Sequence, residues 1–201
     1  MCGIVGLYLK KPELQIQLGK LFKPMLFEMS SRGPDSAGIA IYRNQVISGQ
    51  TKFSLAYNDV NFPWKKLGTD LASSLQSDVS INVINTHCIL VTDAQEEIVI
   101  NWLNDLNVKK YIPSTINTTQ KIRIVGIGQS IEIFKEVGSP EVVYDQFNLE
   151  KSSGTHMVGH TRMATESAVT TAGSHPFATG ADLCLVHIGS LSNHNLIRRI
   201  L

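Results

Sequence analysis

The first predicted strand of this chain begins at its second residue, and that residue is a cysteine. Residues 2–8 are apolar apart from two glycines, which is the pattern of a strand buried in a core. The stretch is short and lacks the basic leader of a secretory signal. The sequence therefore predicts that Cys2 stands at the start of a core strand.

Cys2 is also a candidate catalytic residue. An initiator methionine is normally removed when the next side chain is small, which would leave Cys2 with both a thiol and a free α-amine. Such an amine titrates at about 7.7–8.0, so one residue can hold an attacking sulfur and its own general base. A single cysteine near the start of a chain is a weak motif, and an accidental placement is the alternative.

Composition narrows the class of protein. The chain has 201 residues, of which 43% are hydrophobic and 17% charged, as in soluble globular proteins. The net charge is +1, without basic or acidic blocks, which argues against nucleic-acid or membrane-surface binding through bulk charge. No apolar run approaches the roughly 20 residues of a membrane-spanning helix.

The cysteines and histidines suggest neither a disulfide framework nor a metal site. The chain has three cysteines at wide spacing, and Cys88 and Cys184 lie in apolar, strand-like runs. We expect both to be buried, and we expect a reducing cytoplasmic compartment. His156 and His160 have helical spacing, but Gly154 and Gly159 argue against a helix there. The sequence predicts no metal and no cofactor.

Periodicity and breakers predict a mixture of strands and helices. Strands are expected over residues 2–8, 37–42, 45–48, 79–91, 122–125, 130–134 and 182–187. Helices are expected over residues 14–29 with a kink at Pro24, 71–75, 94–106 with Asp93 as N-cap, 141–147 and 196–201. Gly126 and Gly128 fill only two positions of the dinucleotide-binding fingerprint, so we expect a tight turn there. Residues 50–150 differ in character and are predicted to form a small α/β inset.

Three further blocks accompany the terminal cysteine. Residues 32–38 are RGPDSAG, residues 159–165 are GHTRMAT, and residues 185–190 are LVHIGS. Together with the Met-Cys-Gly start, they resemble the class II glutamine amidotransferases. The resemblance extends over essentially the whole chain, and in particular to the stand-alone glutaminase subunits related to glutamate synthase, including that of N-methylglutamate synthase.

This resemblance implies an α+β fold of the N-terminal nucleophile hydrolase type, a four-layer αββα sandwich. It places one amidotransferase domain over residues 1–201, with the inset at about 50–150. It implies hydrolysis of L-glutamine to glutamate and ammonia, with the ammonia delivered to a partner synthase subunit. The acceptor of the ammonia is left open, because glutamate synthesis and N-methylglutamate synthesis both fit.

Individual site residues follow from the same resemblance. Cys2 matches the nucleophile that forms a γ-glutamyl thioester. Arg162 matches the arginine that binds the α-carboxylate of glutamine, and Thr165 matches a threonine in the same pocket. Arg32 and Asp35 match residues that hold the loop of the nucleophile beside the substrate. For Asp35, a solvated charge in a Gly-Pro turn is the alternative.

The oxyanion site departs from the family pattern. The family has His-Asn-Gly where this chain has His187, Ile188 and Gly189. Gly189 can still supply its backbone N–H, but isoleucine has no side-chain donor, and loss of one such donor typically costs about 10²–10³ in rate. We therefore expect a weak glutaminase, or one in which another group of the chain supplies the second donor. His160, His175 and His187 are expected to form structural hydrogen bonds, since the amine of Cys2 already supplies a base.

The second departure is the end of the chain at Leu201, where family members continue into an Asp-rich segment and further strands. The resemblance therefore predicts a fold that is incomplete at the C-terminus. These two departures favour an alternative, a catalytically impaired partner or regulatory subunit with the same fold. A different N-terminal nucleophile amidase is a third, more remote reading.

Overall fold

The computed structural model describes residues 1–113, 120–164, 168–189 and 199–200. In this part of the chain the strands are β1 (Gly3–Tyr8), β2 (Ser36–Tyr42), β3 (Thr51–Ala56), β4 (Val79–Ile84), β5 (His87–Thr92), β6 (Arg123–Gly128), β7 (Ile131–Val137), β8 (His156–Arg162), β9 (Phe177–Gly180) and β10 (Leu183–Leu185). The α-helices are α1 (Leu18–Phe27), α2 (Trp64–Leu75), α3 (Glu96–Asn104) and α4 (Pro140–Gln146). Short 3₁₀ turns lie at Pro12–Gln17, Ser30–Arg32, Val108–Lys110 and Leu149–Lys151.

The first sheet has the strand order β1-β8-β2-β7, and all its neighbours are antiparallel. Helices α1 and α4 cover one face of this sheet. Because strand residues alternate between faces, Ile39 and Ile41 of β2 point to these helices. Their cluster includes Leu18, Phe22, Leu26, Phe134, Val143, Tyr144 and Phe147, all fully or almost fully buried.

The second sheet has the strand order β4-β5-β3-β6 and is also antiparallel. Helices α2 and α3 contribute to the apolar cluster on one of its faces. That cluster contains Phe53, Leu55, Phe62, Trp64, Leu67, Leu71, Leu90, Val99 and Leu103. The predicted α+β class with antiparallel sheets is confirmed.

A third apolar cluster lies between strands of the two sheets. It contains Ala40, Ala56, Val125, Ile131 and Ile133, which come from β2, β3, β6 and β7. The chain passes from the second sheet to the first through the short connection between β6 and β7. The face of the first sheet that carries Ala40 is therefore the one turned away from α1 and α4, and we call it the inter-sheet face.

Strands β9 and β10 form a separate two-stranded hairpin with mostly exposed side chains. Its turn is fastened by Asp182, whose carboxylate accepts the backbone N–H groups of Gln129, Ser130 and Ile131. Burial opposes ionisation of Asp182, but these hydrogen bonds outweigh it and hold the carboxyl pKa below its ordinary value. One side chain thus ties the hairpin to the β6–β7 connection.

Two local sequence predictions are wrong for the same reason. Residues 45–48 form no strand, and Ile47 is 76% exposed, so its side chain has no core to face. Helix α3 begins at Glu96 after Gln95, while the carboxylate of Asp93 accepts the N–H of Asp78. In both places the local sequence pattern is present, but the tertiary contacts of these residues differ from those that the prediction requires.

One further local prediction is wrong: Gly126 and Gly128 lie within β6 rather than in a tight turn. The interval 50–150, for which an α/β inset is predicted, contains the second sheet together with β7 and α4, which belong to the first sheet and its helices. Pro24 lies inside α1. The predicted helix over 196–201 falls almost entirely outside the described residues. No helix in the described ranges is long and apolar enough to span a membrane.

Candidate active site

Cys2 and Arg162 are neighbours at one end of the first sheet. The last pair of β1 and β8 joins Gly3 to Thr161, so Cys2 continues the register beside Arg162. The backbone N–H of Met163 lies 3.5 Å from the Cys2 sulfur, and the thiol lies 3.7 Å from the Met163 carbonyl oxygen. Since opposed residues of paired strands point to one face, Cys2 and Arg162 share the inter-sheet face.

The residue before the thiol is open to solvent. Met1 is 77% exposed, and its α-amine lies 3.1 Å from the sulfur of Met163. Cys2 itself is partly exposed, and its thiol is free. Cys88 is buried as expected, whereas Cys184 is only half-buried. Cys2 therefore has a free, partly exposed thiol and lies directly before the first residue of β1.

Arg162 is held in a largely desolvated position. It is 8% exposed, and its Nη1 donates to the carbonyl oxygen of Ala168 at 3.3 Å. Gly173 lies against the guanidinium, because a Cβ at that glycine would come 3.5 Å from Nη1. A buried guanidinium is a strong site for a carboxylate, since it can form two parallel charge-assisted hydrogen bonds.

Arg32 and Asp35 bind backbone groups around Cys2 and Arg162. The Nε of Arg32 donates to the carbonyl oxygen of Cys2 at 3.3 Å. The Asp35 carboxylate accepts the N–H of Ala164 at 2.7 Å, and the Asp35 N–H donates to the Arg162 carbonyl at 3.0 Å. These bonds fix the backbone of Cys2 and that of Arg162 and Ala164 on the neighbouring segment.

Gly33 allows that loop to approach the sheet. A Cβ at this position would lie 2.4 Å from the carbonyl carbon of Thr161, far inside contact distance. No side chain fits without moving the loop, so the glycine determines how closely Arg32 and Asp35 approach β8.

Gly189 and Ile188 follow the end of β10. Gly189 has a φ of 130°, a conformation that favours glycine, and Ile188 is 41% exposed. The carbonyl oxygen of the preceding residue, His187, is hydrogen-bonded to the Nε2 of His160 at 3.0 Å. Within the described residues, no hydrogen bond joins Gly189 to Cys2. Thr165 lies outside the described residues.

Two histidines stack beside this segment. The rings of His160 and His175 are 4.4 Å apart at an interplanar angle of 25°, and Phe177 packs edge-on against His175 at 4.5 Å. Burial lowers the pKa of His175 to about 4. Burial also lowers the pKa of His160. Both rings are therefore neutral at neutral pH.

Lys135 is a further buried group that the sequence reasoning missed. It is 4% exposed, and its Nζ donates to the carbonyl oxygens of Ser174 at 2.8 Å and Pro176 at 3.2 Å. Burial, with the nearby charge of Arg123, lowers its pKa to about 8. The available signal was its position in β7, where Lys135 shares a face of the strand with the apolar residues Ile131 and Ile133. Among the described residues, no group of three or more His, Cys, Asp or Glu side chains could hold a metal.

Comparison with known proteins gives two relatives along almost the whole chain. The glutamine amidotransferase-like protein GlxB of Rhizobium meliloti is 45% identical over 199 residues, which cover 99% of this chain and 62% of the relative. A protein of Methanothermobacter thermautotrophicus, named as an unconfirmed glutamine amidotransferase, is 30% identical over 207 residues, covering 98% of this chain and 64% of its own length. No protein-family model matches. The chain thus spans less than two thirds of the curated relatives it matches, and their names support an amidotransferase family.

Proposed function

On the premise of this similarity to glutamine amidotransferases, we propose that the chain hydrolyses L-glutamine to glutamate and ammonia as a class II enzyme. The observation that carries the proposal is the placement of the Cys2 thiol beside the buried Arg162 on the inter-sheet face. Nucleophile and carboxylate-binding cation are both needed to attack the side chain of an amino acid, and they lie at the same end of the same sheet.

The chemistry begins with removal of the exposed Met1. The freed α-amine of Cys2 takes the thiol proton as the sulfur attacks the amide carbon of glutamine. The resulting tetrahedral intermediate collapses when the C–N bond breaks and the protonated amine gives its proton to the leaving nitrogen, which departs as ammonia. Water then hydrolyses the γ-glutamyl thioester, releasing glutamate and restoring the thiol.

Substrate recognition in this proposal rests on Arg162. Its guanidinium binds the α-carboxylate of glutamine, and Thr165 lines the same pocket. Arg32 and Asp35 hold the backbone on which Cys2 and Arg162 sit, as their hydrogen bonds to that backbone indicate. The N–H of Gly189 is the remaining donor for the oxyanion.

The three apolar clusters support an N-terminal nucleophile hydrolase architecture. One cluster lies between helices and the first sheet, one between the sheets, and one between the second sheet and helices. This order is the one expected of an αββα sandwich. Delivery of ammonia to a partner synthase subunit, in the cytoplasm, is part of the same proposal and rests on the family resemblance.

The proposal is tested by labelling with 6-diazo-5-oxo-L-norleucine, a glutamine analogue that alkylates an activated thiol. Intact-mass measurement first establishes whether Met1 is removed. We expect one adduct on Cys2, protection by L-glutamine, and no adduct on a Cys2→Ser variant. The half-buried Cys184 serves as an internal control, because it must remain unlabelled. Labelling that glutamine does not slow, or labelling of both cysteines alike, contradicts the proposal.

A second candidate function is favoured by one observation, the isoleucine at position 188. A chain with this fold and a defective oxyanion site would dock on a synthase without hydrolysing glutamine. The two candidates differ in the labelling rate, because only an activated Cys2 reacts faster with the glutamine analogue than with iodoacetamide.

A further inference from the structure

Side chains, not a sheet, hold the segment that carries Gly189. Strand β10 pairs with β9 and ends at Leu185, so residues 186–189 lie outside any sheet. The Nε2 of His160 is hydrogen-bonded to the carbonyl oxygen of His187 at 3.0 Å, and the ring of His175 is stacked on the ring of His160 at 4.4 Å. The hydrogen bond of His160 and the stacked ring of His175 therefore act as the two anchors of the segment before Gly189.

The anchors are themselves fixed from the first sheet. His160 belongs to β8, and Lys135 of β7 holds the carbonyls on either side of His175. Gly38 of β2 leaves the necessary room, since a Cβ there would lie 2.0 Å from the His175 carbonyl oxygen. Three adjacent strands thus determine where the stacked pair of rings sits.

His160 also connects this segment to the candidate active site. It lies two residues before Arg162 on the same face of β8, a separation of about 7 Å along an antiparallel strand. The carbonyl of His187 is one hydrogen bond away from His160, and Gly189 follows two residues later with a φ that turns the chain.

We propose that His160 and His175 are positioning residues, which set the backbone of residues 187–189 so that the N–H of Gly189 faces the oxyanion formed at Cys2. The inference rests on the proposed glutaminase function. A carbonyl oxygen only accepts, so His160 donates from Nε2 and its Nδ1 carries no proton. The Nδ1 atoms of both rings are buried without a hydrogen-bond partner among the described residues. The hydrogen bond from the Nε2 of His160 to His187 therefore links the stacked pair of rings to this segment.

The alternative is that the rings only fill space, and one substitution separates the two roles. His160→Phe keeps an aromatic ring of similar size for the stack with His175, and it removes the donor to His187. His156→Phe is the matched control. His156 lies on the same strand and is also stacked, on Tyr42 at 3.9 Å, but it is four residues further from the candidate site.

Two measurements are made on the full chain: amide hydrogen exchange of residues 186–189, and glutamine hydrolysis. For His160→Phe we expect faster exchange of these amides and a fall in kcat of about 10²-fold, the size of effect seen when one oxyanion donor is lost, with KM changed less than about twofold. His156→Phe should match the wild type in both. A His160→Phe variant that exchanges and turns over like His156→Phe overturns the proposal, as does a loss that falls on KM.

A failure of the proposed glutaminase function gives a different experimental result from a failure of the positioning role. If the wild-type chain with a free Cys2 amine hydrolyses no glutamine, the glutaminase function and the oxyanion role fall together. The exchange measurement still reports whether the two histidines hold residues 186–189. Unchanged exchange in both variants means that they do not.

Discussion

At the scale of single residues, we expect position 188 to limit the rate of the proposed glutaminase reaction. The resemblance places an asparagine there, whose side-chain N–H would serve the oxyanion beside the backbone N–H of Gly189. Ile188 has no such donor and is 41% exposed, so its side chain is not required by the core. Restoring the amide should therefore change catalysis without a large change in packing.

We predict that Ile188→Asn raises kcat for glutamine hydrolysis by about 10²-fold, because one added oxyanion donor typically contributes that factor. Steady-state ammonia release measures the change. Ile188→Val is the control, since it alters size without adding a donor and should leave kcat near the wild-type value. Equal rates for both variants would mean that the oxyanion is bound elsewhere.

The site residues that could be predicted from the sequence are those that lie in short recognisable blocks. Cys2, Arg162 and Gly189 were identified from short blocks that resemble a family, and the structure brings the first two together. Lys135 and Asp182 were not foreseen. Each bonds to backbone groups about 40 to 50 residues away in the chain, and no local pattern of sequence records such a partner.

At the scale of elements, the pattern of apolar and polar residues explains which strands were predicted correctly and which were not. Strand β2 was predicted closely because its two faces are buried and its residues are continuously apolar or small. The false strand at 45–48 has apolar residues but no sheet to join. The strand β3, which begins at Thr51, was missed because it includes Lys52 and Ser54, whose polar groups are satisfied by residues of β7.

Gly38 of β2 gives a test of how strand and loop fit together. We predict that Gly38→Ala lowers the free energy of unfolding by about 1–3 kcal/mol, because its Cβ would overlap the His175 carbonyl and Lys135. Urea denaturation measures the change. Gly6→Ala on β1 is the control: a Cβ there has no neighbour within 4 Å, so its effect should be within about 1 kcal/mol. Equal stability of the two variants would show that the loop does not press on β2.

At the scale of the whole molecule, a buried ion cluster fastens the two sheets to each other. Glu132 on β7 of the first sheet accepts from Lys52 on β3 of the second at 2.9 Å and from Arg43, just after β2, at 2.6 Å. The side chains of Lys52 and Glu132 are 6% and 8% exposed. A buried pair of this kind is costly to break from one side.

We predict that Glu132→Gln lowers the free energy of unfolding by about 3–5 kcal/mol, because the charge of Lys52 is left buried without its partner. Chemical denaturation again measures it. The double variant Lys52→Met, Glu132→Leu should recover most of the loss, since both charges are then absent. A single variant that unfolds like the wild type would show that the cluster is solvated.

Buried histidines make stability depend on pH. Burial, with the charges of Arg123 and Lys135, lowers the pKa of His87 to about 3, and His175 is lowered to about 4 from an ordinary value of 6.5. Below pH 6.5 the unfolded chain therefore binds more protons than the folded one, so stability is fully present above this pH and is lost as the pH falls toward these native values.

We expect the free energy of unfolding to fall by about 1.4 kcal/mol per pH unit for each such histidine in this window. Urea titrations at a series of pH values measure the slope. The variant His87→Phe, which places another ring against Phe134 and Phe147, should show a shallower slope. An unchanged slope would mean that His87 does not contribute to the acid sensitivity.

The exposure of Met1 has a practical consequence for anyone who prepares this protein. If the sulfur needs the amine of its own residue, any affinity tag or cleavage scar left upstream of Cys2 produces a well-folded but silent preparation. Purification tags therefore belong at the other terminus. The expression host also needs an efficient methionine aminopeptidase, because the assay depends on complete removal of Met1.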